Sequence, residues 1–169
     1  MPTTNANTML IGGGYGSAPL FALAELLKNR GCRVDMVLGA STANKIYAPL
    51  EGKRSVSSLT LTTDDGSAGI HGQISEAIPR LIREYKTEVI YSCGPMGMLS
   101  AIAKIAEEFD ISHQCSVEEA MACGIGVCMT CVVPIKHEDG TKMVRTCIDG
   151  PVMDGSEIIW DRKSVMDAL

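Results

Sequence analysis

Four of the seven cysteines crowd into one stretch: Cys123, Cys128 and Cys131 are spaced C-x4-C-x2-C, and Cys147 follows after fifteen residues. Three thiolates from one tight loop and a fourth from a distant segment form the ligand pattern of a plant-type [2Fe–2S] cluster. Such a loop must bring backbone N–H groups close to the sulfurs, and Gly124 and Gly126 permit that approach and tolerate positive φ. A structural zinc site is the competing reading, but it usually shows two C-x2-C knuckles, and here only Cys128 and Cys131 form one. Four buried free thiols are the blandest reading, and this glycine-flanked spacing would be an odd way to fill a core. The chemistry expected of the cluster is one-electron transfer.

A second set of residues could hold a nucleotide. Gly12-Gly13-Gly14-Tyr15-Gly16-Ser17 leaves an apolar run and enters a helical pattern, where backbone amides and a helix N-terminus can hold a pyrophosphate. The match to G-x-G-x-x-G fails at Ser17, and Asp35 lies inside the second strand rather than at its end, where a ribose-binding acid belongs. A tight structural turn therefore stays open beside the nucleotide reading. Ser92-Cys93-Gly94-Pro95-Met96 repeats the strand-to-helix geometry, with a thiol expected either in the same crevice or as a small buried hydrophobe. Asp64-Asp65-Gly66-Ser67 is explained by turn chemistry or by ribose binding. His71, His113 and His137 are isolated and read as surface or core residues; Cys32 and Cys115 read as structural, and Trp160 as an anchor for the C-terminal segment.

The elements that must position these residues alternate. Residues 8–11 read as a strand, and Leu20, Leu23, Ala24 and Leu27 as a helix with Ser17 as N-cap, Pro19 in the first turn and Gly31 at the stop. Strands follow at 34–38, 58–63, 88–92 and 113–117, with helices on Ile74–Tyr85 and Met98–Phe109. Strands alternating with amphipathic helices imply parallel crossovers, hence an α/β fold with a doubly wound, parallel five-stranded sheet. Its ligands belong at the carboxyl ends of the strands, where the loops 12–17, 64–67 and 92–96 lie. From Met121 onward cysteines, glycines and short β-like pieces take over. The expected domains are 1–118, an α/β nucleotide-binding domain, and 119–169, a small cluster-binding module.

Composition excludes several classes. A chain of 169 residues with 46% hydrophobic and 21% charged residues can pack a core, so global disorder is not expected. The net charge of −5, with scattered Lys and Arg, offers nucleic acid no basic footprint. No apolar run approaches the roughly 18 residues of a membrane span. Met1 to Thr8 lacks the pattern of a signal peptide, so a cytoplasmic location is expected, where crowded cysteines point to metal rather than disulfides.

Taken together, Gly12-Gly13-Gly14-Tyr15-Gly16-Ser17-Ala18-Pro19-Leu20, Thr63 to Ser67, Cys93-Gly94-Pro95-Met96, Ser116 to Met121, Cys123 to Cys131 and Cys147-Ile-Asp-Gly-Pro151 resemble a known family. It is that of the iron–sulfur electron-transfer subunits of NAD-linked dihydroorotate dehydrogenase, in the ferredoxin reductase superfamily. The resemblance implies that Gly12, Gly13 and Gly14 approach NAD(H), that Cys93, Gly94, Pro95 and Met96 lie by the nicotinamide, and that Cys123, Cys128, Cys131 and Cys147 hold a [2Fe–2S] cluster. It further implies that NADH reduces, or is formed at, an FAD, and that the cluster relays electrons between that FAD and the FMN of a catalytic dehydrogenase partner in pyrimidine biosynthesis. Family members begin with a flavin-binding β-barrel. This chain starts where that barrel should end and lacks its Arg-x-Tyr-Ser/Thr motif, the nearest string being Arg83-Glu84-Tyr85-Lys86 on a helix. FAD is therefore expected on a separate flavin-binding domain. Two alternatives stay open: the small subunit of a related NADPH:ferredoxin or sulfide oxidoreductase, and a non-enzymatic zinc-stabilised interaction module. No basic residue clearly awaits a 2′-phosphate, so NADH is the expected nucleotide.

Overall fold

The computed structural model describes residues 4–161; the outer ends of the two expected domains, residues 1–3 and 162–169, lie outside the described residues. Strand β1 (Asn7–Gly13) runs down the middle of the sheet, and its Met9, Leu10 and Ile11 have no exposed surface at all. Such a two-sided apolar strand can exist only where helices cover both faces. Helix α1 (Ala18–Asn29) covers one face and buries Leu20, Ala24 and Leu27 against Leu10 and against Val34, Met36 and Leu38 of β2 (Arg33–Ala40). Helices α3 (Ile74–Tyr85) and α4 (Met96–Glu108) cover the other, packing Ile78, Leu81 and Ile102 on Met9, Ile11 and Val37. Successive residues of β1 and β2 thus feed opposite cores, as the pleat requires.

Parallel pairing links β3 (Ser58–Thr63), β2, β1, β5 (Val89–Cys93) and β6 (Ser112–Ser116) in that spatial order. These are the five strands read from the sequence, but the sheet has seven. A two-residue β4 (Ile70–His71) extends one edge and β9 (Val152–Asp154) pairs antiparallel with β6 at the other. Segments of two and three residues carry no readable periodicity, which is why they escape a sequence pattern. The short helix α2 (Pro49–Ser55), for which no expectation was formed, precedes β3. Its cap, Ala48, is in the left-handed region and offers no side-chain oxygen. The hairpin β7 (Val132–His137) with β8 (Gly140–Arg145) forms a separate two-stranded sheet.

Residues beyond 118 return to the main sheet. Val133, Val144 and Ile158 close a third apolar cluster with Leu99 of α4 and with Cys115 and Val117 at the end of β6. Trp160 donates its indole N–H to the Gly155 carbonyl at 2.9 Å, the anchoring read from the sequence. Among the described residues no helix is long and apolar enough to cross a membrane.

His113 is a core residue, one of the two readings given it, and like His137, which lies beside Asp139, it has a partner the sequence did not reveal. His113 is 3% exposed, and its Nε2 lies 2.7 Å from Ser92 Oγ across the β5–β6 pair. Burial pushes its pKa from 6.5 down to about 4, against the opposing pull of Asp154. Between those values the unfolded chain binds a proton that the folded chain refuses, so acid favours unfolding. Denaturant titrations should show stability falling as pH drops from about 7 to 4, by up to about 3 kcal/mol from this group. His113→Gln should flatten that slope; an unchanged slope would contradict the burial argument.

Candidate metal centre and nucleotide crevice

The sheet reverses direction of winding at β1, whose neighbours are β2 on one side and β5 on the other. This switch point is where open α/β sheets leave a crevice. A cavity of ≈ 550 Å³ lies there, walled by Gly13, Gly14 and Tyr15 at the end of β1, Gly39 to Ser41 at the end of β2, Asp64 after β3, and Pro95, Gly97 and Met98 at the start of α4.

The glycines divide into two roles. A Cβ on Gly16 would stand 2.7 Å from the Cys93 carbonyl and from Gly94 Cα, and one on Gly13 would meet Met98 Sδ at 2.7 Å. These positions let two backbone turns touch. Gly14 instead has φ +55° with open space above it, so its bare backbone faces the crevice. Ser17 does not cap α1: it is helical, buried and makes no side-chain cap bond, because Gly14–Ser17 forms a 3₁₀ turn that runs straight into the helix.

Of the seven residues expected at the nucleotide, Gly13, Gly14 and Pro95 line the cavity; Gly12, Cys93, Gly94 and Met96 pack behind or beside it. Cys93 is half-buried, hydrogen-bonded to the Ser116 side chain, and burial raises its thiol pKa. Met96 packs toward the third apolar cluster. The Asp64–Ser67 loop does two jobs. Asp65 Oδ1 accepts from the Ser67 amide (3.0 Å) and hydroxyl (2.6 Å), while Ser67 Oγ accepts from the Ala43 amide at 2.8 Å, which ties the loop to the segment after β2. Those bonds hold the Asp65 carboxyl below its ordinary pKa. Asp64 is left to the cavity. Sequence reasoning missed Ser41, Lys45, Gln73 and Ser75, which also line it. Lys45 is a basic residue on the cavity wall that the sequence reading did not single out, and applying the strand-end rule to β2 as well as β1 would have found this segment.

At the other site, the loop that follows β6 places Cys123 and Cys128 outside and Cys131 inside, 2% exposed and tied by Cys131 O to the Thr146 amide at 2.9 Å. Gly124, Gly126 and Met129 have φ of +69°, +79° and +57°. With that winding the loop amides turn inward: those of Val127 and Cys128 donate to Cys123 Sγ at 3.3 and 3.4 Å, and the Gly126 amide to Cys147 Sγ. Arg145 Nη1 clamps the loop by donating to Gly126 O at 2.8 Å, and the Arg145 amide donates to Asp149 Oδ2 at 2.8 Å, shaping the turn that carries Cys147. The Thr130 hydroxyl donates to Cys128 Sγ at 3.1 Å; with the Thr130 amide it pulls that thiol pKa down to about 6. Cys131 and Cys147 hydrogen-bond to each other, lowering the first and raising the second.

The Cys128 amide thus lies against Cys123 Sγ, and Cys147 lies beside Cys131 and within electrostatic reach of Cys123. Among the described residues no three His, Cys, Asp or Glu side chains converge on a point that could hold a single ion. The buried hydroxyl of Thr146 lies beside Cys131, close enough to pull that thiol pKa down. A donor of that kind offsets the charge of a thiolate.

A nucleotide-type α/β domain carrying a cysteine loop at its carboxyl edge is a ferredoxin-reductase-like arrangement, and the comparisons with known proteins agree. Residues 118–159 match the family described as the iron–sulfur cluster-binding domain of dihydroorotate dehydrogenase B. The chain is similar to the electron-transfer subunits of that NAD-linked dehydrogenase. It is 33% identical to the subunit of Desulforamulus reducens over 161 residues, covering 95% of this chain and 62% of that one. It is 39% identical to that of Streptococcus mutans, covering 90% and 58%, and 37% identical to the probable one of Archaeoglobus fulgidus, covering 94% and 64%. The chain thus spans about three-fifths of the length of these curated relatives. Among solved structures, a chain of an NADH-dependent reduced ferredoxin–NADP oxidoreductase, a flavin-based electron-bifurcating system, superposes with TM-score 0.81 at 32% identity, over 95% of this chain and 57% of that one. The C-terminal domain of a Pyrococcus furiosus hydrogenase, 13% identical, shares the fold with TM-score 0.57 over 69% and 96% of the two chains.

The contact between the two turns yields a direct test. Gly16→Ala should destabilise the protein by about 1–3 kcal/mol, since the new methyl meets the rigid Cys93–Gly94 backbone. Gly97→Ala, where nothing lies within 4 Å, should be neutral or slightly stabilising. Denaturant unfolding of the two variants compares them; equal effects would mean that the turns can separate freely.

Proposed function

We propose that this chain passes electrons between NAD(H) and a catalytic dehydrogenase partner through a [2Fe–2S] cluster on Cys123, Cys128, Cys131 and Cys147, within a dihydroorotate dehydrogenase of the B type. The observation that carries the reading is the winding of the cysteine loop, with positive φ at Gly124, Gly126 and Met129 and with the Val127 and Cys128 amides and the Thr130 hydroxyl donating to ligand sulfurs. When bound, the cluster supplies a one-electron carrier. Each remaining task falls to the chain: loop amides and the Thr130 hydroxyl offset thiolate charge, Arg145 holds the loop, and the positive-φ glycines keep space for the group.

In the crevice, the backbone at Gly13 and Gly14 takes the pyrophosphate, Lys45 balances its charge, Asp64 accepts from the adenosine ribose, and Pro95 to Met98 lie toward the nicotinamide. Cys93, Gly94 and Met96 position that turn from behind. Residues 1–118 act as the NAD(H)-binding domain and 119–169 as the cluster module. A nicotinamide hands over a hydride, two electrons at once, and a cluster takes one, so a flavin must stand between them. We assign that flavin, an FAD, to a flavin-binding domain and the terminal acceptor, an FMN, to the catalytic partner. The exposed apolar side chains of Ile125, Val127 and Met129 around the cysteine loop give the partner a surface to cover.

Reconstitution of the protein with iron and sulfide should give [2Fe–2S] visible absorption and a rhombic EPR signal on reduction, and Cys128→Ser should abolish or severely weaken both. A colourless protein holding one zinc per chain would exclude the proposal. Binding titrations should favour NADH over NADPH, because the Asp64 carboxylate opposes a 2′-phosphate. Asp64→Ala should weaken NADH binding several-fold and narrow that preference; tighter binding of NADPH by the unaltered protein would show that Lys45 governs the pocket instead.

A further inference from the structure

The Thr130 side chain serves no packing purpose. It is exposed, lies between two proposed ligands, and spends its hydroxyl on the sulfur of Cys128 at 3.1 Å. Cys128 is itself the exposed member of the set. The other three cysteines draw on different donors: Cys123 on the amides of Val127 and Cys128, Cys147 on the amide of Gly126, and Cys131 on Cys147 and the buried Thr146 hydroxyl. Thr130 therefore adds a side-chain donor, which substitution can remove, to one ligand sulfur, while the backbone donors stay in place.

We propose that Thr130 sets the reduction potential of the cluster through its hydrogen bond to Cys128 Sγ. The inference rests on the four cysteines being the cluster ligands. Reduction adds one electron and breaks no bond, and the added negative charge spreads over the ligand sulfurs. A hydroxyl donating to one of them stabilises the reduced form more than the oxidised form, so it raises the potential. Removing the hydroxyl leaves the oxidised cluster nearly as stable and the reduced one less so. Thr130 is thus a positioning residue for charge rather than a ligand, and its effect falls on the side of the cluster that faces solvent.

The test uses the full chain reconstituted with iron and sulfide, reduced stepwise with dithionite and mediators, and read by EPR. Thr130→Val keeps the shape and the amide but loses the hydroxyl. Its midpoint should move negative, with the ratio of reduced to oxidised cluster at a fixed potential falling by about tenfold, which is 59 mV for a one-electron couple. Thr130→Ser should restore the unaltered midpoint, and Thr130→Ala should repeat the valine result should valine hinder assembly. A normal cluster with an unmoved midpoint in both the valine and alanine variants would overturn the proposal and leave the ligand assignment standing. A midpoint displaced equally in Thr130→Ser would assign the effect to packing and overturn it as well. Loss of the cluster in valine and alanine but not serine would make the hydroxyl an assembly element, against the proposal. An unaltered protein that forms no [2Fe–2S] chromophore would remove the ligand assignment and the inference together.

Discussion

The contact on which the molecule turns is made without side chains. Gly12 sits opposite Cys93 in the β1–β5 pair, and the turns that follow these strands touch backbone to backbone at Gly13, Gly16 and Gly94. Only residues lacking a Cβ allow that approach. Its consequence is that α1 and α4 start side by side at one edge of the sheet, one on each face, with the crevice between the strand ends. Larger residues at Gly13 or Gly16 would push β5 and α4 away from β1, and β6 would move with them. The cysteine loop hangs from the end of β6, so this one contact positions both candidate sites.

The cysteine module is held to the sheet by two further means. Strand β9 adds its backbone to β6, and Val133, Val144 and Ile158 complete an apolar cluster begun by Leu99, Cys115 and Val117. Cys115, at 0% exposure with a thiol pKa pushed up to about 12 by burial, is part of that packing rather than a fifth ligand. The loop itself is built differently. It buries little, and depends on positive φ at Gly124, Gly126 and Met129 and on the Arg145 clamp. A loop so constructed spends its polar groups on sulfur instead of on regular structure.

Much of this was legible in the sequence where a residue type is forced by geometry. The β1, β2, β3 and β5 strands show as apolar or β-branched runs because helices bury them, and α3 because Ile74, Ile78, Leu81 and Ile82 share one face. The cysteine spacing was legible because ligand number and loop size constrain it together. What was not legible depends on long-range partners. Strand β9 exists only because β6 presents an open edge 38 residues earlier in the register Cys115 to Met153. The pairing of His113 with Ser92 spans 21 residues and two strands. Lys45 reaches the crevice through a loop held by Ser67, and no local pattern records that tie. Ser17 looked like a cap because its type is right for one; the tight 3₁₀ turn before it removed the vacancy a cap would fill.

The same topology argues for how the two sites relate. Strands β5 and β6 are neighbours and parallel, so the turn at Cys93 and the start of the cysteine loop leave the sheet at the same edge. Cys93 at one end and Ser116 at the other form a register pair, and their side chains hydrogen-bond. A nucleotide in the crevice and a cluster in the loop would lie on one edge, separated in strand order by a single step. That places a two-electron donor and a one-electron acceptor side by side without letting either do the other's chemistry. Under the proposed function, the flavin that converts between them would have to reach this shared edge, at the carboxyl ends of β5 and β6.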